Sequence, residues 1–540
     1  VSVPDASTAP AAPARGRLRA RAAAAGQRFS ALARRLVTAG RRLRPAEHGD
    51  APGRDAPAEA ATAGGAETRL GRALLAASAF HAGQTGVLPL AEGLDAFAAR
   101  VLLADAAERT LDVQYYIWRA DTSGLLLLQA LHRAADRGVR VRLLLDDNNT
   151  TGLDDCLAAL DAHPRAEVRL FNPFRQRRWR MLGYLVDFAR LNRRMHNKSF
   201  TVDDQVTIVG GRNVGDEYFD ASDETRFVDL DVLAVGAVVP DVTADFERYW
   251  ACASAHPLSA VVPVAAPGAL EALEARTAAV ETGPAAQDYV EALLDSPLVA
   301  DLVAGQLALD WTSAQLLSDD PAKGLGRAAA ATLLPRRIAE ALRGAERELN
   351  LVSPYFVPGR GGVAALASVR AGGARVTVLT NALEATDVVA VHAGYARYRR
   401  ALLRAGVRLF EMTRRVAPAN PRPRRGVGSS ASSLHAKTFS IDDRRVFVGS
   451  FNFDPRSARL NTEMGLVIDS APLARRIAAL FEEPVPREAY EVRLGRFGGL
   501  RWIERGADGT VREHRHEPGS TLRRRCVLWL VSRLPVEHLL

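Results

Sequence analysis

One pattern, His-x-Lys-x4-Asp-x6-Gly-x-x-Asn, occurs twice in this 540-residue chain. The first copy is His196, Lys198, Asp203, Gly210 and Asn213. The second, 239 positions later, is His435, Lys437, Asp442, Gly449 and Asn452. Two copies with identical internal spacing imply a duplicated unit, and so a fold built from two related halves. The repeat is wider than the motif. Val168-Arg-Leu-Phe171 returns at the same offset as Val407-Arg-Leu-Phe410, and the stretch 108–117 is echoed by 346–356.

Each copy predicts a strand, a tight turn and a second strand: alternating residues 196–202, then Asp203-Asp204-Gln205, then 206–210, with the same succession at 435–449. Side chains alternate along a strand, so His and Lys two apart share one face, which Phe200 and Phe439 would continue. Asp203 and Asp442 belong to the candidate catalytic set, but at the turns they read as organisers of the hairpin more than as proton carriers. Upstream, each half reads strand, helix, strand, helix, strand before its motif. That predicts two pseudo-symmetric α/β/α sandwich halves with mixed sheets, facing each other across one cleft.

A face with one imidazole and one ammonium from each half suits phosphodiester chemistry. A neutral imidazole attacks phosphorus and forms a covalent phospho-histidine. A second, protonated imidazole supplies the leaving oxygen with a proton and then takes one from the incoming hydroxyl. Lys198 and Lys437 neutralise the non-bridging oxygens, so neither metal nor cofactor is expected. The histidines need opposite protonation states at one pH, which acidic partners can set. Asp229 and Glu463, each at the start of a strand-like run after its own motif, are the candidates; a solvated acidic residue at a strand start is the alternative. Gly210, Asn213, Ser450 and Asn452 are candidates for binding the phosphate or supporting the site.

The paired motifs resemble the phospholipase D superfamily. The strings Leu191-Asn-Arg-Arg-Met-His-Asn-Lys, Leu317-Ser-Asp-Asp-Pro-Ala-Lys323, Ser353-Pro-Tyr-Phe-Val-Pro358 and Asn461-Thr-Glu-Met-Gly465, with the terminal Leu534-Pro-Val-Glu-His-Leu-Leu540, narrow the resemblance to bacterial cardiolipin synthases of the C type. The resemblance runs from about residue 85 to the end. It implies a bilobal fold and a metal-independent two-step phosphatidyl transfer. His196 would be the nucleophile and His435 the general acid and base. Phosphatidylglycerol would be the acceptor, and phosphatidylglycerol or phosphatidylethanolamine the donor. The superfamily's Gly-Ser-x-Asn stands intact at 449–452, whereas the first copy reads Gly210-Gly-Arg-Asn213, so the halves cannot treat phosphate identically.

The net charge of +9 suggests nucleic acid until it is located. Residues 1–70 and 501–540 carry all of it, and residues 71–500 carry none. A neutral body without a base-stacking platform argues against nucleic acid as a partner. Basic and large apolar residues mix at 171–195, where Arg178, Trp179 and Arg180 are candidate contacts to an anionic phospholipid surface; a solvated basic helix is the alternative. The expected layout is a disordered basic extension (1–70), a first half (71–255), a helical connection (256–330), a second half (331–490) and an interfacial tail (491–540). The tail includes Trp529 and alternatively caps the core. No run approaches a membrane span, and three scattered cysteines give no disulfide framework. The expectation is a peripheral enzyme on the cytoplasmic side of the bacterial inner membrane. A phosphodiesterase acting on lipid or nucleic acid, and a non-catalytic lipid-binding protein, are the rivals.

Overall fold

The computed structural model describes residues 65–520, apart from 178, 223–224, 282–288, 290–300, 302–306, 387, 415–430 and 507. Arg178, Trp529 and the N-terminal extension up to residue 64 lie outside the described residues.

The first half supplies β1 (Thr85–Leu90), β2 (Thr110–Ile117), β3 (Arg140–Asn149), β4 (Ala166–Phe171), β5 (Ser199–Val202), β6 (Val206–Gly210), β7 (Thr225–Val228), β8 (Asp231–Gly236), β9 (Ala255–Pro257) and β10 (Asp310–Thr312). All but β7 form one nine-stranded sheet in the order β10-β1-β8-β6-β5-β2-β3-β4-β9. The second half supplies β11 (Ala314–Ser318), β12 (Glu348–Val352), β13 (Arg375–Asn381), β14 (Arg408–Met412), β15 (Ala431–Leu434), β16 (Thr438–Ile441), β17 (Arg445–Gly449), β18 (Met464–Ile468), β19 (Ala489–Leu494), β20 (Leu500–Arg505) and β21 (Val511–His514). All but β15 form a ten-stranded sheet ordered β11-β18-β17-β16-β12-β13-β14-β19-β20-β21.

From β1 to β9 and from β11 to β19 the two orders coincide strand for strand. Their senses coincide too: β2-β3-β4 and β12-β13-β14 are parallel, and the flanking pairs antiparallel. Parallel neighbours require crossovers. Helices Thr122–Asp136 and Asp154–Asp161 supply them in the first half, and Gly359–Ala371 with Val389–Ala396 and Arg399–Arg404 in the second.

These strands are apolar on both faces because both faces are covered. Outward residues such as Val113 and Ile208 pack with Leu127 and Leu131 of the covering helices, and Leu349 and Leu351 pack with Leu366. Inward residues Val209 and Val232 meet Val446, Val448 and Leu466 of the opposite sheet in one shared core. That central core holds the two motifs against each other.

Two expected boundaries move. The connection 256–330 does contain the helix Ala269–Glu281, but β10 and β11 close an edge of each sheet, and only Ser313 separates them. Residues 489–514, expected largely as an interfacial tail, are three strands of the second sheet. Their alternation buries Tyr490, Val492 and Trp502, while Arg493 and Arg505 pair with Glu491. The arginines at 522–534 that suggested an interfacial tail lie outside the described residues. Among the described residues no helix is long and apolar enough to cross a membrane.

Candidate active site

The hairpins β5–β6 and β16–β17 turn at Asp203-Asp204 and Asp442-Asp443, all with φ between 51° and 55°. Two successive residues with left-handed backbone, a conformation aspartate tolerates, let each three-residue connection follow the twist of its strands. The first carboxylate of each pair then ties the turn to a neighbouring strand. Asp203 accepts the backbone N–H groups of Glu108, Arg109 and Thr110 at 2.8–3.0 Å, and Asp442 those of Glu346, Arg347 and Glu348 at 2.7–2.9 Å. Seven positions of nearly extended chain, at about 3.3 Å each, separate them from the histidines. Both residues thus sit as organisers of the hairpin, away from the proton-carrying groups of the motif.

His196 and Lys198 stand at the other end of the hairpin, just before β5, and His435 and Lys437 just before β16. Phe200 and Phe439 do not line the cleft: both are buried in the outer cores. The segment before each histidine pairs with the other half. Met195 bridges Thr462, and the His196 N–H donates to the Thr462 carbonyl at 2.9 Å. β15 pairs in parallel with β7, setting Leu434 opposite Val228, whose carbonyl accepts from the N–H groups of His435 and Ala436 at 2.8 and 2.9 Å. Thr462 and Val228 each precede one of the candidate acids. This register therefore crosses the acids between halves. His196 Nδ1 lies 2.7 Å from Glu463 Oε2, and His435 Nδ1 lies 2.5 Å from Asp229 Oδ2. An Nδ1–H held by a carboxylate leaves the Nε2 lone pair free for chemistry.

Both histidines, both lysines and both acids are buried. Burial lowers the His435 imidazole to about 4, Lys437 adding to the effect and Asp229 opposing it. Burial also takes His196 well below 6.5, followed by Lys198, Lys437 and His435, so the two pairs share one electrostatic environment. The acids diverge. Burial pushes Glu463 up to about 7 against the pull of Lys198. Burial also acts upward on Asp229, but Lys437 and His435 outweigh it and hold the carboxyl below its ordinary value. Lys198 falls to about 7 through burial and the nearby Lys437. Lys198 Nζ donates to the His196 carbonyl at 2.6 Å, and Lys437 Nζ lies 2.7 and 3.1 Å from the His435 ring nitrogens. Burial of two ammonium groups beside two imidazoles favours an anion between them.

The supporting candidates divide. A Cβ at Gly210 would overlap Asp231 of the adjacent strand, and one at Gly449 the Met464 carbonyl. These glycines admit a neighbouring strand, which is a supporting place for Gly210. Ser450 Oγ donates to Glu463 Oε2, and Ser457 Oγ to Oε1 at 2.7 Å, so Ser450 holds the acid. Asn213 accepts from the Ile117 N–H at 3.2 Å and donates to Tyr218 Oη at 3.0 Å. Asn452 Oδ1 is buried without a donor among the described residues.

Several site residues escaped the sequence reading. The Tyr116 ring meets His196 edge-on at 4.8 Å and lies under Lys198, while Tyr218 and Phe227 flank His435, each at 5.1 Å. The only signal for Tyr116 was its place in the repeated 108–117 stretch. Asp146 accepts the Met195 N–H at 2.8 Å, and Asn381 the Leu434 N–H at 3.0 Å, fixing the residue ahead of each histidine.

The basic stretch before His196 departs from expectation. Arg177 pairs with Asp147 and Asp154, Arg190 with Asp187, and Arg180 donates to the Asp147 carbonyl at 2.8 Å. Asp147 is buried and needs these cations. Besides Arg175 and Gln176, the exposed side chains include a run of large apolar ones: Trp179 at 61%, Leu185 at 81% and Val186 at 84%, with Leu182 and Phe188 beside them.

Comparison with known proteins agrees with this geometry. A family model described as "Cardiolipin synthase, PLD-like domain" matches residues 102–250 and 338–484, once in each half. Cardiolipin synthase C of Escherichia coli (strain K12) is 51% identical over 473 residues, covering 87% of this chain and all of that protein. An uncharacterized protein of Helicobacter pylori (strain ATCC 700392 / 26695) is 34% identical over 397 residues, covering 72% of this chain and 77% of its own. The crystal structure of phosphatidylserine synthase from Haemophilus influenzae Rd KW20 shares the fold, with a TM-score of 0.54 at 14% identity over 87% of this chain and all of that one. With two such matches in one chain and a full-length relative at half identity, the chain belongs to the phospholipase D-like cardiolipin synthase family.

Proposed function

We propose that this protein is a phosphatidyltransferase that makes cardiolipin, with His196 as nucleophile and His435 as general acid and base. The observation that carries the reading is the crossed pairing of each motif histidine with the acid of the opposite half, which forms one buried site from two lobes.

His196 Nε2 attacks the phosphorus of a bound phospholipid. The bond from phosphorus to the headgroup oxygen breaks, and His435 gives that oxygen its proton, leaving a phosphatidyl-histidine. The terminal hydroxyl of phosphatidylglycerol then enters, loses its proton to His435 and takes the phosphatidyl group, which restores His196. Lys198 and Lys437 balance charge on the non-bridging oxygens. The unequal acids support this division. Asp229 stays ionised and opposes the burial and the Lys437 charge that lower His435, and the negative charge of a bound phosphate adds to that pull toward an imidazolium. Glu463 shares its charge with two hydroxyls and favours neutral His196. The donor is phosphatidylglycerol or phosphatidylethanolamine, and the neutral body disfavours nucleic acid.

The protein associates with membranes, and we place it peripherally on the cytoplasmic face of the inner membrane. Cys156 and Cys252 are free thiols, in keeping with a reducing compartment. The contact runs through Trp179, Leu185 and Val186, ten to seventeen residues ahead of His196, where the chain can lift a headgroup from the bilayer into the cleft. Purified protein given labelled phosphatidylglycerol, with and without phosphatidylethanolamine, should yield labelled cardiolipin. Phosphatidic acid as the sole product would make it a hydrolase.

A further inference from the structure

The first motif departs from the second at Gly211-Arg212, where the other half has Ser450-Phe451. Phe451 packs in the outer core of its half. Arg212 is equally buried, and besides a long ion pair to Asp231 at 3.7 Å its guanidinium bonds backbone carbonyls. It donates to Leu90 at 2.7 Å, to Tyr218 at 3.3 Å, to Asp229 at 2.8 Å, and to Ala91. Two of these residues, Asp229 and Tyr218, form the surroundings of His435 on the opposite lobe. Asn213 grips Tyr218 again through its hydroxyl. A Cβ at Gly211 would overlap the Asp229 carboxylate, so a serine there would displace that acid, whereas its counterpart Ser450 helps hold Glu463 in the second half.

We propose that Gly211-Arg212-Asn213 is the device that makes the two histidines unequal, with Arg212 as a positioning residue that sets Asp229 and Tyr218 against His435 and so assigns proton transfer to that lobe. The inference rests on the transferase reading above. A fork bonded to four carbonyls fixes both neighbours of His435 at once, while the open Gly211 lets the carboxylate reach across the interface. Positive charge behind Asp229 also favours its ionised form, and Arg212 is among the groups that lower it. The second half holds its acid by two hydroxyls and no cation at the matching position, which suits an imidazole that must stay neutral.

Leaving-group chemistry separates this role from a general structural one. Departure of glycerol from phosphatidylglycerol needs the proton of His435. Departure of p-nitrophenolate from phosphatidyl-p-nitrophenol breaks the same phosphorus–oxygen bond and needs none. Arg212→Met should lower cardiolipin formation from phosphatidylglycerol by about 30-fold or more, with KM within about threefold. The p-nitrophenolate burst should fall by less than about threefold in the same preparation, with label still on His196. Arg212→Lys keeps the charge without the fork and should show the same split. If neither variant keeps the wild-type melting temperature, Tyr218→Phe carries the test, with a smaller loss confined to phosphatidylglycerol. Equal losses with both donors, in whichever variant folds, overturn the proposal. A wild-type protein that releases p-nitrophenolate and forms no cardiolipin would overturn the transferase reading instead.

Discussion

Replacing Asp229 by Asn tests the crossed wiring most directly. Asp229 Oδ2 lies 2.5 Å from His435 Nδ1 in a site closed to water, and the Asn side chain has nearly the same shape. If the amide oxygen takes the same N–H, the charge-assisted share of the bond is lost. Bonds to charged groups contribute about 1.5–3 kcal/mol, a factor of roughly 10–150 in rate. If the amide instead turns its NH2 to Nδ1, the imidazole proton moves to Nε2 and the base loses its lone pair. Losses from such a tautomer reach roughly 10⁴-fold. The expected fall in kcat therefore starts at tenfold, with KM for phosphatidylglycerol little changed because Asp229 meets substrate only through His435. Cardiolipin formation at saturating lipid measures the rate, and the ¹⁵N resonances of the His435 ring report its tautomer. Asp229→Asn should move those resonances, and Glu463→Gln should move those of His196. A kcat within threefold of wild type, or His435 signals that follow Glu463→Gln and ignore Asp229→Asn, would refute the crossed assignment.

His196→Ala and His435→Ala should each lower turnover by on the order of 10⁴-fold, with the double variant little worse because the two act as a unit; a loss under tenfold from either would remove that histidine from the mechanism. Glu463→Gln should change the pH dependence of stability. The folded carboxyl sits at about 7 against its ordinary 4.5, so the native state binds this proton more tightly than the unfolded chain does. The associated stability is full below pH 4.5 and lost as pH rises through 7. Gln resembles the protonated form, so the variant should melt near wild type at pH 5 and become more stable by on the order of 3 kcal/mol at pH 8; a difference constant with pH contradicts this. Leu185→Ser with Val186→Ser should weaken binding to phosphatidylglycerol vesicles at least tenfold, since each buried side chain contributes about 1.5 kcal/mol or more. Because most of the described arginines nearby are paired with acids or carbonyls and Arg175 alone among them adds an exposed charge, raising salt from about 0.1 to 0.5 M should change wild-type binding less than threefold. Strong salt sensitivity would point to an electrostatic contact.

The duplication was legible because its signals are local. Alternating residues, Asp-Asp turns and a fixed 239-residue offset specify the hairpins at 199–210 and 438–449 without reference to the rest of the chain. The same signals gave the order of strands and helices in each half. They misled where a residue type has two uses. Arginine beside apolar residues at 171–195 suggests a lipid surface, yet most of the described ones pair with acids such as Asp147 and Asp187 or with carbonyls. For Asp203 and Asp442 the turn position was a better guide than motif membership: they stabilise turns far from the imidazoles.

The amino-acid order by itself determined that there are two copies, which residues in them can carry phosphoryl chemistry, and that each copy forms a hairpin, because periodicity and turn chemistry act between near neighbours. Tertiary structure alone decided which acid serves which histidine. Asp229 and Glu463 stand in equivalent places after their own motifs, and only the ladder of β7 on β15 and the bridge of Met195 to Thr462 send each to the other lobe. Those pairings join backbones more than 200 residues apart. The closure of the two inner sheet faces into one core sets them, through side chains whose local pattern says only that they are buried.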